Sequence, residues 1–327
     1  MITARLIKQK TPITPYKTSN TDMSDDPKSL IKQAFEKSKP VSGFFWKLIS
    51  SPEDQYEEAI DLYIQAAKIY RLGNGKVSKD YIKSADCYKE AAVVALERLE
   101  NYNEAAMNYV EAYKLCKMGD EYSNACEYLQ EAINIFTKHM GQFRRAANYQ
   151  FELGEIFELQ LHQLKPAREA YELAGDWYLQ DNAIQLSNKC YLKYADLLSM
   201  SYENNDDLFK SIKMYKNLID TNIKRNLNLW IIKDYYLKVG LLQLLLTDSV
   251  ASERTLVEAK NTLRDDQDCK EFKLLESLIE CYKEQDIDLM SQTLMKYDKF
   301  DKLDNWKTTI LLKIKESLIG TEEDDLL

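Results

Sequence analysis

Carboxylates are the most abundant groups in this 327-residue chain that could do chemistry, since it contains 53 Asp and Glu. Two carboxylates at a suitable separation can act as general acid and base. With so many acids, close pairs are expected on any solvated helix face, so they indicate no particular reaction. The sequence also lacks a Walker-type glycine-rich loop, a G-x-S-x-G elbow and an H-E-x-x-H motif. We therefore predict that the chain is not an enzyme.

Cysteine and histidine could hold a metal, but their spacing does not favour it. The chain has only two histidines, His139 and His162, and its six cysteines form no C-x-x-C pair. Most of the cysteines fall in apolar helical patterns, where a reduced thiol behaves as a small hydrophobe. We predict neither a metal nor a cofactor, and a reducing compartment.

An aromatic cluster stands out at residues 40–52, PVSGFFWKLISSP. It places Phe44, Phe45 and Trp46 between two prolines, with Lys37, Lys39 and Lys47 nearby; aromatic rings partition into a membrane interface, and ammonium groups meet anionic headgroups. From composition alone, a shallow membrane contact and a loop folded back onto the first helical hairpin are equally good interpretations.

The last seven residues, TEEDDLL at 321–327, place four consecutive acids before Leu326 and Leu327. Such a segment has no means of packing onto its own chain. We therefore expect this acidic dileucine tail to act by contacting another molecule.

Helices must position these groups, because glycine and proline, which mark the turns of β structure, are scarce. The chain has 9 Gly and 6 Pro, and after Pro52 only Pro166 remains. A tyrosine recurs about every 20 residues, often with alanine three positions earlier, so both lie on one helix face. One helix per repeat gives hairpins of about 40 residues, close to the tetratricopeptide or HEAT class. The recurring tyrosines are at positions 88, 109, 128, 149, 171 and 191.

The predicted architecture is all-α: a tetratricopeptide-like solenoid of antiparallel helical hairpins, capped by a C-terminal helical bundle. The bundle is predicted because stretches such as 227–246 and 306–318 are apolar on most sides. Residues 1–22 are basic, and their composition favours a disordered extension over a transit peptide. The predicted segments are 1–22 for the extension, 23–52 for the first helix and aromatic loop, 53–222 for the solenoid, 223–320 for the bundle and 321–327 for the tail. The predicted turns are Gly73–Gly75, Asn101–Asn103, Met118–Asp120, Met140–Gln142, Lys165–Pro166 and Gln180–Asn182.

The charge balance narrows the range of partners. The net charge is −9, with acids spread along the chain, which disfavours nucleic acid as a partner. The apolar runs are far shorter than the ~20 residues that a membrane helix needs.

Several stretches carry a resemblance to a known family, and their order from residue 23 to the last residue makes it specific. They are SGFF at 42–45, YVEAYK at 109–114, EAINIFT at 131–137, GQFRRAAN at 141–148, FELGEI at 151–156, YELAGDWY at 171–178, LSNKC at 186–190, KDYYLK at 233–238, NWKTTILLKIKESL at 305–318 and EEDDLL at 322–327. The chain resembles the soluble NSF attachment protein family, most of all its alpha members from fungi. The EEDDLL ending favours the alpha over the gamma branch.

The resemblance implies an adaptor. Several copies would coat an assembled SNARE complex on a membrane, then recruit and stimulate the hexameric ATPase NSF, which pulls the complex apart so that SNAREs are recycled for vesicle fusion. It also implies a cytoplasmic protein peripherally associated with endomembranes: Golgi, ER, vacuole and vesicles. The alternative from the residues alone is a generic helical-repeat scaffold, such as a chaperone adaptor that binds acidic C-terminal peptides.

The resemblance further implies roles for individual residues. SNARE binding falls to the lysine of the SNK motif, Lys189, and to Arg144 and Arg145 within GQFRRAAN, where Asn148 replaces a lysine of animal relatives. The family's aromatic pair for membrane contact corresponds to Phe44 and Phe45, and Trp46 extends it. The residues expected to bind or stimulate the ATPase are Asp248, Glu280, Glu284, Leu326 and Leu327.

Overall fold

A computed structural model describes residues 26–40, 51–227 and 229–324, with side chains to residue 319. These residues form fourteen α-helices, two 3₁₀ helices at Leu229–Ile231 and Arg264–Asp266, and no strand. The α-helices are α1 (Pro27–Ser38), α2 (Pro52–Leu72), α3 (Tyr81–Leu99), α4 (Tyr102–Met118), α5 (Tyr122–Lys138), α6 (Phe143–Leu159), α7 (Leu164–Gln180), α8 (Ile184–Met200), α9 (Asn205–Lys224), α10 (Ile232–Leu245), α11 (Ser249–Thr262), α12 (Lys270–Glu284), α13 (Ile287–Phe300) and α14 (Asn305–Asp324).

The helices from α1 to α9 stack in two layers. Each contacts the next in sequence, and side chains also bridge helices that are two apart. The Tyr113 hydroxyl on α4 donates to Glu152 Oε2 on α6 at 2.7 Å, and that of Tyr128 on α5 donates to Asp86 Oδ1 on α3 at 3.3 Å. Even-numbered helices therefore form one layer and odd-numbered helices the other. The predicted all-α solenoid of helical hairpins is confirmed.

Small residues set the spacing between the helices. The alanines that precede the recurring tyrosines, such as Ala106 and Ala146, are fully buried. Gly175 on α7 allows an even closer approach, because a Cβ there would lie 2.7 Å from Cε1 of Tyr191 on α8. The alanine and tyrosine stripe is thus the contact surface between neighbouring helices.

The inter-helix turns share one backbone feature. In each turn from α3 to α8, one residue has a left-handed conformation with positive φ, which ends the helix before it. Four of these five left-handed residues are not glycine, so the sequence does not reveal that the turns share this conformation. The five residues are Glu100, Asp120, Gly141, His162 and Asn182.

The predicted turn at Lys165–Pro166 is wrong. Both residues lie in the first turn of α7, which begins at Leu164. Proline is tolerated there because an amide N–H in the first turn has no partner within the helix. The chain turns earlier, and the left-handed residue is His162.

The bundle is formed by α10 to α14. Its apolar core also includes Leu208, Tyr215 and Leu218 of α9, so the core begins upstream of residue 223, where the sequence places the start of the bundle. Helix α14 packs against both α10 and α8 and continues to Asp324, four residues into the segment predicted as a tail.

The cysteines are free thiols, and five of the six are buried. Burial raises the pKa of Cys87, Cys116 and Cys190 to about 12, so these thiols stay protonated at neutral pH. Among the described residues, no group of three or more His, Cys, Asp or Glu could hold a metal ion. No helix in this part of the chain is long and apolar enough to cross a membrane.

Candidate partner-binding surfaces

Lys189 lies exposed on α8, above an aromatic ring of the neighbouring even-numbered helix. Its Nζ is 4.3 Å from the centroid of Phe151 on α6. Phe151 is itself held in place by Tyr171, whose ring centroid is 5.1 Å away. No carboxylate of the described residues lies within 4.0 Å of the ammonium group. The ring therefore fixes the position of the charge without neutralising it.

Arg145 lies on α6 and is partly buried. Its guanidinium carbon is 4.4 Å from the centroid of the Phe136 ring on α5, and its Nη2 lies 2.6 Å from Sδ of Met107 on α4. The side chain thus packs against apolar and aromatic groups while keeping its charge.

Lys193 was not predicted from the sequence, although it follows Lys189 by four residues on α8 and so shares its helix face. Its Nζ lies 3.0 Å from both carboxylate oxygens of Glu158 and 5.9 Å from the Tyr171 ring centroid. Arg145, Lys189 and Lys193 together form what we call the cation row: charges of α6 and α8, each held near an aromatic ring. The i, i+4 spacing was the signal that could have found Lys193.

Arg144 and Asn148 contribute differently. The Arg144 side chain is largely exposed, and its Nη1 lies 3.3 Å from Asp181 Oδ2, just after α7. The Asn148 side chain accepts a hydrogen bond from the Tyr178 hydroxyl on α7. This position therefore carries a neutral side chain that is engaged within its own fold.

The acids predicted to face the ATPase lie just before α11 and on α12. Asp248 caps α11 by accepting a hydrogen bond from the Ala251 amide at 2.8 Å. Glu280 and Glu284 are exposed and lie four residues apart on α12, so they share one face.

Two ion pairs show how these helices are aligned. Lys260 on α11 contacts Glu276 on α12 at 2.8 Å, and Lys283 on α12 contacts Glu253 on α11. These pairings show that α11 and α12 run antiparallel. The start of α11, with Asp248, and the end of α12, with Glu284, therefore lie at the same end of the bundle, which we call the acidic end.

The C-terminal segment leaves the bundle at this acidic end as well. Lys315 Nζ on α14 lies 3.0 Å from Ser291 Oγ on α13, so α14 runs antiparallel to α13 and continues towards the start of α13. That start, with exposed Asp286 and Asp288, directly follows the end of α12. Leu326 and Leu327 lie outside the described residues, but the helix that leads to them points there.

The predicted membrane loop also lies outside the described residues, since Phe44, Phe45 and Trp46 fall between 41 and 50. The described ends of this segment are the end of α1 and the start of α2. Two lysines that flank it are paired: Lys37 contacts Glu58 at 2.7 Å, and Lys39 contacts Glu36 at 2.8 Å.

The fold defines a class of protein, a helical-hairpin solenoid joined to a helical bundle. The sequence model of the family described as "Soluble NSF attachment protein, SNAP" matches residues 25–319. This chain belongs to the soluble NSF attachment protein family.

The relatives agree with that assignment. The alpha-soluble NSF attachment protein of Saccharomyces cerevisiae is 44% identical over 304 residues, which are 92% of this chain and 99% of the yeast protein. A probable vesicular-fusion protein of Schizosaccharomyces pombe is 36% identical over 92% of this chain and 99% of its own length. The human alpha-soluble NSF attachment protein is 29% identical over 93% and 99%. The predicted resemblance to fungal alpha members is confirmed.

Proposed function

We propose that this chain is the adaptor that binds assembled SNARE complexes and recruits and stimulates an NSF-type hexameric ATPase, which then takes the complexes apart. The names of its relatives support this proposal, since they describe NSF attachment and vesicular fusion. Catalysis belongs to the ATPase, and the adaptor itself is no enzyme and needs no cofactor.

The observation that carries the proposal is the cation row on α6 and α8. Lys189 and Arg145 keep their positive charge in fixed positions on a molecule whose net charge is −9. An acidic rod such as the SNARE bundle would be oriented by such a local row, because complementary charge directs encounter and register. Several copies around one rod would make individually modest contacts sufficient. Arg144 lies near the start of α6 and adds an exposed charge.

The ATPase is proposed to bind the acidic end. Asp248, Glu280 and Glu284 offer carboxylates to a basic surface, and Leu326 and Leu327 would follow from α14 as an apolar contact. Because the cation row and the acidic end carry opposite charges and lie on different parts of the molecule, one chain can bind both partners at once.

Membrane contact is proposed for Phe44, Phe45 and Trp46, with a place of action at the cytoplasmic surface of Golgi, ER, vacuole and vesicle membranes. Nucleic acid has no part in the proposal. The interface preference of aromatic rings supports the membrane contact.

Co-precipitation tests the proposal. Tagged SNARE complex is mixed with the NSF-type ATPase in the presence or absence of this chain, with ATP hydrolysis blocked. We expect the ATPase to be retained only when the chain is present, and less of it as salt is raised. Equal retention without the chain would overturn the proposal. Binding of acidic C-terminal peptides in place of SNARE complex would support the chaperone-adaptor alternative.

A further inference from the structure

An ion pair with a buried lysine crosses the border between the solenoid and the bundle. Lys238 Nζ on α10 lies 2.6 Å from Asp196 Oδ1 on α8. The lysine side chain is only 6% exposed and the aspartate side chain 23%. Among the described residues, no other salt bridge joins α8 to α10, and neither residue of this pair belongs to the cation row or to the acidic end.

Aromatic groups from two more helices enclose the pair. The Tyr215 hydroxyl on α9 donates to the same carboxylate oxygen of Asp196. Lys238 Nζ lies 4.7 Å from the centroid of Trp306 on α14 and 5.5 Å from that of Tyr215. Burial, reinforced by the charge of Asp196, raises the pKa of Tyr215 well above its usual range, so this hydroxyl remains a donor. Four helices thus meet at one charged centre.

Helix α14 adds two hydrogen bonds at the same border. The Trp306 indole donates to Ser199 Oγ on α8 at 2.8 Å, and Lys313 Nζ donates to the Met200 carbonyl at 2.9 Å. The last helix of the bundle is therefore fastened to the end of α8, the helix that carries Lys189.

Because the lysine is buried, the free energy of the ion pair depends strongly on the distance between the two charges. A buried pair of charges adds little net stability, because removing both charges from water costs about as much as their attraction returns. A displaced partner, however, leaves an uncompensated charge in a poorly solvated site, and that penalty rises steeply with separation. Such a pair therefore favours one relative orientation of α8 and α10 over its neighbours.

We propose that Asp196 and Lys238 form a latch that fixes the orientation of the bundle relative to the solenoid. The latch makes one stiff body of the two, so that force or movement imposed at the acidic end reaches the cation row. The transmission of force to the cation row rests on the proposed function, whereas the fixed orientation does not.

The main variant is Lys238→Met. Methionine keeps most of the length and the apolar character of the lysine stem, and Asp196 retains the Tyr215 hydroxyl as a partner, so this variant is expected to fold. Asp196→Asn is the second variant, and the charge-reversed double variant, Asp196→Lys with Lys238→Asp, tests rescue. The matched control is Asp234→Asn, which breaks a 2.7 Å pair with Lys307 that lies within the bundle, between α10 and α14.

The orientation of the bundle relative to the solenoid is measured by the distribution of distances between two spin labels in the full-length chain. Labels at Glu97→Cys on α3 and Asn261→Cys on α11 report across the border, with the partly exposed Cys269 replaced by Ser. We expect a single narrow distribution for the parent chain and for Asp234→Asn, a broader or shifted one for Lys238→Met and Asp196→Asn, and at least partial recovery in the reversed pair. An unchanged distribution in both single variants would overturn the latch.

The transmission of force to the cation row is tested with the same variants. Lys238→Met should bind SNARE complex and the ATPase as the parent does, yet lower the rate of ATP-driven disassembly by at least about fivefold, the lower end for coupling between two sites. A broadened distribution with an unchanged disassembly rate would overturn the transmission of force. If the parent chain itself failed to bind SNARE complex, the proposed function would fail, whereas the label distances would still decide whether the latch exists.

Discussion

The ammonium group of Lys189 lies 4.3 Å from the centre of the Phe151 ring, which places a charge of α8 above a ring of α6. Two helices of the same layer thus combine to position one cation. A cation above a ring keeps its charge while its side chain loses mobility. The side chain therefore loses less conformational entropy when a partner binds.

Reversal of the charge at this position should weaken SNARE-complex binding. Lys189→Glu places a carboxylate where the acidic rod is proposed to lie, and like charges at an interface are strongly unfavourable. We expect pull-down of SNARE complex to fall sharply at low salt, while the melting temperature stays close to that of the parent. The matched control is Lys213→Glu, the same change at an exposed lysine on odd-numbered α9. Parent-like binding by Lys189→Glu would remove this residue from the surface.

Loss of the aromatic pair should affect only membrane-anchored substrate. In Phe44→Ser with Phe45→Ser, each ring that enters the interface loses about 2 kcal/mol of burial. We expect weaker binding to vesicles that contain anionic lipid, and slower disassembly of SNARE complexes anchored in them. Soluble complexes should be bound and disassembled normally. An equal loss with soluble complexes would show instead that the segment folds back onto the first hairpin.

Removal of Leu326 and Leu327 should separate binding from stimulation. The described part of helix α14 runs towards the acidic end and stops at Asp324, and the cation row lies elsewhere, on α6 and α8. SNARE-complex binding should therefore be unchanged, while the rate of ATP turnover by the ATPase in the ternary complex falls. A truncated chain that stimulated ATP turnover as well as the parent would exclude a role for the two leucines.

Gly175→Ala should destabilise the solenoid by about 1–3 kcal/mol, as overpacking of a tight contact does. The added Cβ would lie 2.7 Å from the Tyr191 ring and would force α7 and α8 apart. Chemical denaturation measures the loss. In a Tyr191→Leu background the same substitution should cost less, because the ring that it meets is gone. An equal cost in both backgrounds would refute this account of the glycine.

The solenoid could be predicted because its repeat is local. Tyrosine and alanine at fixed spacing report the buried face of each helix, and the scarcity of glycine and proline excludes β folds. Turn positions were predicted less well: four of the five left-handed turn residues are not glycine, and Pro166 marks the start of a helix instead of a break.

Long-range pairs could not be predicted from the residues. Asp196 and Lys238 are 42 positions apart, and nothing in either local pattern indicates that the two side chains meet. The acidic end likewise depends on the antiparallel pairing of α11 with α12, which brings Asp248 and Glu284 to one end. Lys193 could have been predicted from the sequence, since its helical spacing from Lys189 places it on the same face.

The central claim is that one chain couples the ATPase to the SNARE complex, and ATP-driven disassembly tests it most directly. Fluorescently labelled SNARE complex is mixed with the NSF-type ATPase, ATP and this chain, and separation of the labels is followed over time. The account predicts disassembly that requires the chain and is slowed by Lys189→Glu. Disassembly at the same rate without the chain, or none at all with it, would contradict the account.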